Sequence, residues 1–127
     1  HGVAGVEEKA GRFPQVSGLS FTYDRSRRKG TRVGEILVGG EPLVPEQEYI
    51  VATNDFLAAG GDGYRAFGDA VRSSEDFSVI GGAMKGGKLV YNDAGRWLRD
   101  VIIEYIKTHK RVSPAVEGRI RETGTGQ

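Results

Sequence analysis

Within the stretch Asn54-Asp-Phe-Leu-Ala-Ala-Gly-Gly-Asp-Gly-Tyr64, one aromatic ring is followed by a glycine pair, a carboxylate and a further glycine. Those types at that spacing suggest a chemistry. A flat ring can stack on the π-face of a nucleobase, which is worth roughly 1–3 kcal/mol. An ionised carboxylate can accept hydrogen bonds from both hydroxyls of a ribose at once, and charge assistance strengthens such bonds. Glycines let the backbone approach a ligand closely. Phe56 and Asp62 therefore make sense together as a nucleoside reader, a pairing that neither residue justifies alone. The alternative is that Phe56 points inward and packs under the loop, as most Phe side chains do. Bringing Asp62 back toward the ring after a strand end needs a sharp turn, which predicts a positive φ at one or more of Gly60, Gly61 and Gly63.

Other chemistries find less support. A two-metal hydrolase needs several His and Asp residues converging on ions. This chain has two histidines: His1 at the terminus and His109 among lysines near a helix end, where a solvated partner for the helix dipole is the simpler role. Neither has a credible serine partner, and there is no cysteine. The sequence Gly60-Gly-Asp-Gly63 lacks the lysine and hydroxyl residue that end a phosphate loop of the Walker type. Arg25, Arg27, Arg28 and Lys29 form a basic run without interleaved aromatics, which reads as solvated charge at a hairpin tip. With 18 basic and 17 acidic residues the net charge is +1, far from the balance of a dedicated nucleic-acid binder. No catalytic residue, metal site, cofactor or nucleic-acid partner is expected from this chain. No apolar stretch approaches the roughly 20 residues of a membrane span.

The elements that must position the loop can be read from periodicity. The length of 127 residues suits one domain around one core. Val3, Val6 and Ala10 have helical spacing, over a length too short to be stable alone, and look like the end of a longer helix. Leu19, Phe21 and Tyr23 alternate with Ser20 and Thr22, as in a strand with one buried face. A polar loop follows, then a returning strand over Arg32–Val38 closed by Gly39-Gly40. Pro42 and Pro45 mark a rigid loop, and Tyr49–Thr53 reads as a third, central strand that delivers the chain to Phe56. Between Ala70 and Tyr91 the pattern allows at most a short strand around Phe77, Val79 and Ile80. Asn92 or Asp93 makes a good cap for a helix whose apolar stripe is Leu98, Val101, Ile102, Tyr105 and Ile106. Together these predict an α+β (mixed α/β) domain, a small mixed sheet covered by helices, over residues 1–122, with 123–127 a polar tail.

Three segments in order, GRFPQVSGLSFTYD (Gly11–Asp24), ATNDFLAAGGDGY (Ala52–Tyr64) and VSPAVEGRI (Val112–Ile120), resemble motifs of the C-terminal domain of the 5′-nucleotidases. That family includes UDP-sugar hydrolases and 2′,3′-cyclic-nucleotide phosphodiesterases. The resemblance implies a substrate-binding domain that holds a nucleotide and swings it toward two divalent metal ions in an N-terminal metallophosphoesterase domain of the same protein. It matches Phe56 to the aromatic that stacks on the base and Asp62 to the carboxylate on the ribose, with Asn54, Gly60 and Gly61 completing the substrate-binding set. The second half of the aromatic clamp, with the Asn and Arg residues that grip the nucleotide, lies upstream of the first helix in such proteins and outside this sequence. The chain therefore reads as a piece of a larger hydrolase, truncated at its N-terminus, and the same resemblance implies an extracellular, periplasmic or cell-surface location. A stand-alone nucleoside-binding or interaction module without phosphatase activity is the alternative.

Overall fold

A computed structural model describes residues 1–8, 10–90 and 96–124 of the chain. In chain order the elements are a 3-10 turn (Gly2–Glu8), β1 (Leu19–Tyr23), β2 (Val33–Val38), β3 (Glu41–Pro42), α1 (Asp55–Ala58), a second 3-10 turn (Gly61–Gly63), α2 (Arg65–Arg72), β4 (Ser78–Ile80), β5 (Ala83–Lys85), α3 (Leu98–His109) and β6 (Ile120–Glu122). The architecture is the expected mixture of helices and a small mixed sheet. The chain divides into two compact units, His1–Ile50 with the segment from Ala115 onward, and Val51–Pro114.

The first unit is built on the alternation in β1. Phe21 and Tyr23 are buried and form the core with Val3, against which Phe13, Leu19, Ile36 and Ile120 pack. Phe13 meets Tyr23 edge-on, with ring centroids 5.9 Å apart. β2 returns antiparallel, placing Ile36 opposite Phe21. Between them the Thr22 hydroxyl accepts the Glu35 N–H at 3.0 Å. Position 34 must stay a glycine for this contact, because a Cβ there would lie 2.6 Å from the Thr22 hydroxyl oxygen. The Gly39-Gly40 turn closes β2 as expected but leads into the short strand β3, at Pro42 where a loop was expected, and β6, from the far end of the sequence, pairs parallel to β1 with Ile120 opposite Phe21. The sheet order is thus β3-β2-β1-β6.

Arg32 fastens the N-terminal turn to this sheet. Its guanidinium is buried, and Nη1 donates to the Val3 and Ala4 carbonyls at 3.2 Å each and to Glu7 at 2.9 Å. The hydrogen bond from Arg32 is the main reason the Glu7 carboxyl is held down, to about 2. The N-terminal turn is 3-10 rather than α-helical. It is interrupted at Gly5, whose φ of −120° and ψ of 33° leave the helical region.

The predicted strand at Tyr49–Thr53 is absent: those residues carry no strand pairing, and Ile50 is 83% exposed. An apolar run becomes a strand only by pairing with a neighbour, and neither ladder, β3-β2-β1-β6 or β4-β5, includes these residues. Tyr49 instead turns back on its own loop, its hydroxyl accepting the Val44 N–H at 3.0 Å.

In the second unit α1 is followed by the glycine-rich turn, α2, the β4–β5 hairpin and α3. The predicted strand near Val79 is β4, and its antiparallel partner β5 was not expected. The best-patterned helix runs over Leu98–His109 with its apolar stripe exposed, and Trp97 precedes it in an extended conformation. The expected cap at Asn92 or Asp93 lies outside the described residues. His109 stays local, its Nδ1 2.9 Å from the Tyr105 carbonyl oxygen and its ring stacked on Tyr105 at 4.0 Å.

Candidate functional site

The Asn54–Tyr64 stretch is ordered by its own backbone chemistry. Asn54 is extended and caps α1, its Oδ1 accepting the Leu57 N–H at 2.8 Å, which satisfies one of the unpaired donors at a helix start. Its side-chain oxygen thus has a structural partner already. Asp55 accepts the Phe56 N–H at 2.9 Å. After Ala59 the chain reverses at Gly60 in the left-handed region (φ 96°), with Gly63 (φ 79°) likewise positive, as the need for a sharp turn predicts.

Asp62 itself is left-handed, at φ 52° and ψ 20°. Non-glycine residues seldom adopt this conformation, and Asp and Asn tolerate it best. Asp62 is held there between two glycines, exposed, at the crest of the 3-10 turn. Backbone strain of this kind tends to concentrate at ligand sites.

Phe56 is 55% exposed, so it is not a core residue. Its ring nevertheless has a defined seat. A Cβ built at Gly61 would fall 2.6 Å from the ring carbons Cε1 and Cζ and 2.6 Å from the Phe56 carbonyl oxygen. One side of the ring therefore lies on the bare backbone of the residue preceding Asp62. The missing side chain of Gly61 makes room for the ring, a role the sequence reading did not give it. Phe56 thus sits on α1, anchored by Asn54, and Gly60, Gly61 and Asp62 on the turn that follows, with Gly61 against the ring.

The periodicity reading missed α2, a short helix interrupted by a glycine. Tyr64 and Phe67 stack at 5.8 Å at its start, and Val71 is buried. The Phe67–Val71 spacing of four is the signal that could have revealed it.

The basic run, expected as solvated charge, is instead largely paired. Three residues of the basic run pair with carboxylates: Arg25 with Glu122, Arg27 with Asp24 and Lys29 with Glu8. Among the described residues no three His, Asp or Glu side chains are grouped to hold a metal ion, so the residues present do not fit the metal pair of a metallophosphoesterase. Among those same residues no helix is long and apolar enough to cross a membrane. A cavity of about 310 Å³ in the first unit is lined by Phe13, Tyr23, Val116, Arg119 and Ile120, none of them on the Phe56 turn.

Comparisons with known proteins point to one family. The family described as 5′-nucleotidase, C-terminal domain, matches residues 3–69, more than half of the chain. The chain is 35% identical over 127 residues to the trifunctional nucleotide phosphoesterase protein YfkN of Bacillus subtilis (strain 168), covering 95% of this chain and 8% of that protein. It is 32% identical over 129 residues to the 5′-nucleotidase of Homo sapiens, covering 95% of this chain and 19% of the relative. Among solved structures, the 5′-nucleotidase precursor from Thermus thermophilus superposes with a TM-score of 0.67 at 32% identity, over 98% of this chain and 22% of that one. The chain spans under a quarter of the length of each of these proteins. On the match to the family and the agreement in fold, this chain belongs to the 5′-nucleotidase C-terminal domain family.

Proposed function

We infer that the chain is the nucleoside-holding part of a nucleotide hydrolase, occupying residues 1–122 and acting beside an N-terminal metallophosphoesterase domain. Phe56 stacks on the base and Asp62 accepts hydrogen bonds from the two ribose hydroxyls. Gly60 and Gly61 bring the turn close to the nucleoside, and Asn54 holds the helix from which the ring projects. The observation that carries this reading is the exposed Phe56 ring, seated on Gly61 directly before a left-handed Asp62. The family match includes that stretch, and the relatives are named for phosphoester hydrolysis of nucleotides. The metals and the catalytic acid or base belong to the partner domain, and this chain supplies binding and orientation. An extracellular, periplasmic or cell-surface location goes with the reading, and the Thermus neighbour's description as a precursor favours it.

With one ring and one carboxylate, the chain alone binds adenosine with a dissociation constant near or weaker than about 1 mM. An adenosine titration should move amide signals between Asn54 and Tyr64. Phe56→Ala should abolish the response, and Asp62→Asn should weaken adenosine more than 2′,3′-dideoxyadenosine. Asparagine suits this test better than alanine because it tolerates the left-handed backbone while removing the charge. Adenosine shifts confined to another surface would refute the reading, as would phosphate release from a nucleotide by the purified chain with a divalent metal.

A further inference from the structure

We propose that Arg72 is a positioning residue for the nucleoside turn, holding the carbonyl of Ala59 and thereby setting where Gly60 to Asp62 emerge. This rests on the nucleoside reading above. Ala59 is the residue on which α1 ends, and its own N–H bonds back to the Asp55 carbonyl. Carbonyls at a helix end lack partners within the helix, and a cation is well suited to them. Arg72 Nη1 donates to the Ala59 carbonyl at 3.2 Å, and Nη2 donates to Asp69 at 3.1 Å. The guanidinium therefore spans from α2 to the end of the helix that bears Phe56, at the residue immediately before the left-handed Gly60.

Gly68 makes the bridge possible. It is buried one helical turn before Arg72, and a Cβ built there would lie 2.5 Å from Arg72 Nη2 and 2.8 Å from the Ala59 carbonyl oxygen. The guanidinium and the carbonyl meet in the space that any larger residue at 68 would fill. A glycine inside a helix normally weakens it relative to alanine. Here that weakness is accepted in a helix of only eight residues, Arg65–Arg72. Arg72 and Gly68 thus form a matched pair whose product is a fixed Ala59 carbonyl. Asp62 lies three residues on, and its approach to a ribose depends on the direction in which the turn leaves Ala59.

The test compares adenosine with 2′,3′-dideoxyadenosine on the wild-type chain and on Arg72→Met, Arg72→Lys, Gly68→Ala and the Gly68→Ala/Arg72→Met double variant, followed by amide shifts. Because the guanidinium is half exposed, the expected effect is modest. Arg72→Met and Gly68→Ala should each lower the preference for adenosine about two- to fivefold. The double variant should lose no more than either single one, and Arg72→Lys, which can still reach the carbonyl, should recover part of the preference. Gly68→Ala displaces the Ala59 carbonyl as well as the guanidinium, so Arg72→Met, which leaves the Gly68–Ala59 contact untouched, isolates the part of the guanidinium. An unchanged preference in both single variants, an equal weakening of both nucleosides, or additive losses in the double variant would overturn the proposal even with the wild type discriminating normally. A wild type that does not discriminate overturns the nucleoside reading and this inference with it.

Discussion

Phe21 and Phe56 carry the same side chain in two units that use it in opposite ways. Phe21 lies 8% exposed on β1, between Ile36 of β2 and Ile120 of β6, so its burial follows from strand register on both flanks. Phe56 lies 55% exposed on a four-residue helix, and its contact with Gly61 comes from within the same turn. A single exposed apolar residue is ordinary on a protein surface. The distinctive feature of Phe56 is its seat, since a ring more than half exposed still packs closely against the bare backbone of Gly61. The contrast teaches that the first unit orders its aromatics by burying them between strands, while at Phe56 the second leaves a ring exposed and orders the chain around it by local hydrogen bonds.

The contrast can be broken at its strong end first. Phe21→Ala should destabilise the chain by about 3–5 kcal/mol, the usual cost of removing a buried aromatic, and unfold the sheet unit in a thermal melt followed by far-UV circular dichroism. If the melt hardly moves, the sheet is not the stabilising region and the comparison collapses. Gly61→Ala probes the other unit. The added methyl must displace the Phe56 ring or its carbonyl, and overpacking of this kind costs about 1–3 kcal/mol. The expected signature is a change in the Phe56 ring signals with those of Phe21 and Tyr23 undisturbed.

Acid tests a single contact of the first unit. The Glu7 carboxyl is lowered from its ordinary 4.5 to about 2 by the hydrogen bond and charge of Arg32. A depressed carboxyl contributes stability that is fully present above its unfolded value and is lost as pH falls through its folded value. The contribution of Glu7 should therefore be intact above about pH 4.5 and fade toward pH 2. In the second unit Asp76 is also held below the ordinary value, by the Ser74 hydroxyl and the Gly87 amide. Glu8 and Asp24 of the first unit are lowered as well, so acid weakens both units and only a comparison with Glu7→Gln isolates the Arg32–Glu7 contact. That variant should melt lower than the parent at neutral pH, with the gap closing in acid; a gap that stays constant down to pH 2 would mean the Arg32 contact does not stabilise the fold.

The sheet was legible in the sequence where a pattern repeats. Leu19, Phe21 and Tyr23 announce β1, and Gly39-Gly40 announces the turn after β2. The parallel addition of β6 was not legible, because a three-residue strand from the far end of the chain has no period to read and gains its identity from the edge it meets. The same reason, reversed, applies to Tyr49–Thr53: an apolar run has the composition of a strand, but nothing in it specifies the partner that would make it one. At the candidate site, Phe56, Asp62 and the need for positive φ could be read from residue types. The left-handed state of Asp62 itself and the support from Gly68 and Arg72 could not, since both depend on how α1 and α2 meet. Periodicity alone does not specify that approach.

The smallest effect on stability is expected where the effect on binding is largest. Phe56→Ala removes a ring that is already more than half in water, so the transfer free energy lost on truncation is a fraction of that for a core aromatic, about 1 kcal/mol or less. The ring also closes no ladder and caps no helix, while Asn54 continues to anchor α1 through the Leu57 amide. The variant should therefore melt within a few degrees of the parent and keep its far-UV spectrum, yet show no adenosine-dependent shift between Asn54 and Tyr64. Phe56→Leu sharpens the point: it restores much of the apolar volume over Gly61 without a π-face, so stability should recover and base stacking should not. If leucine binds adenosine as well as phenylalanine does, the ring acts as filler over the turn, and the two units differ only in how deeply they bury the same kind of side chain.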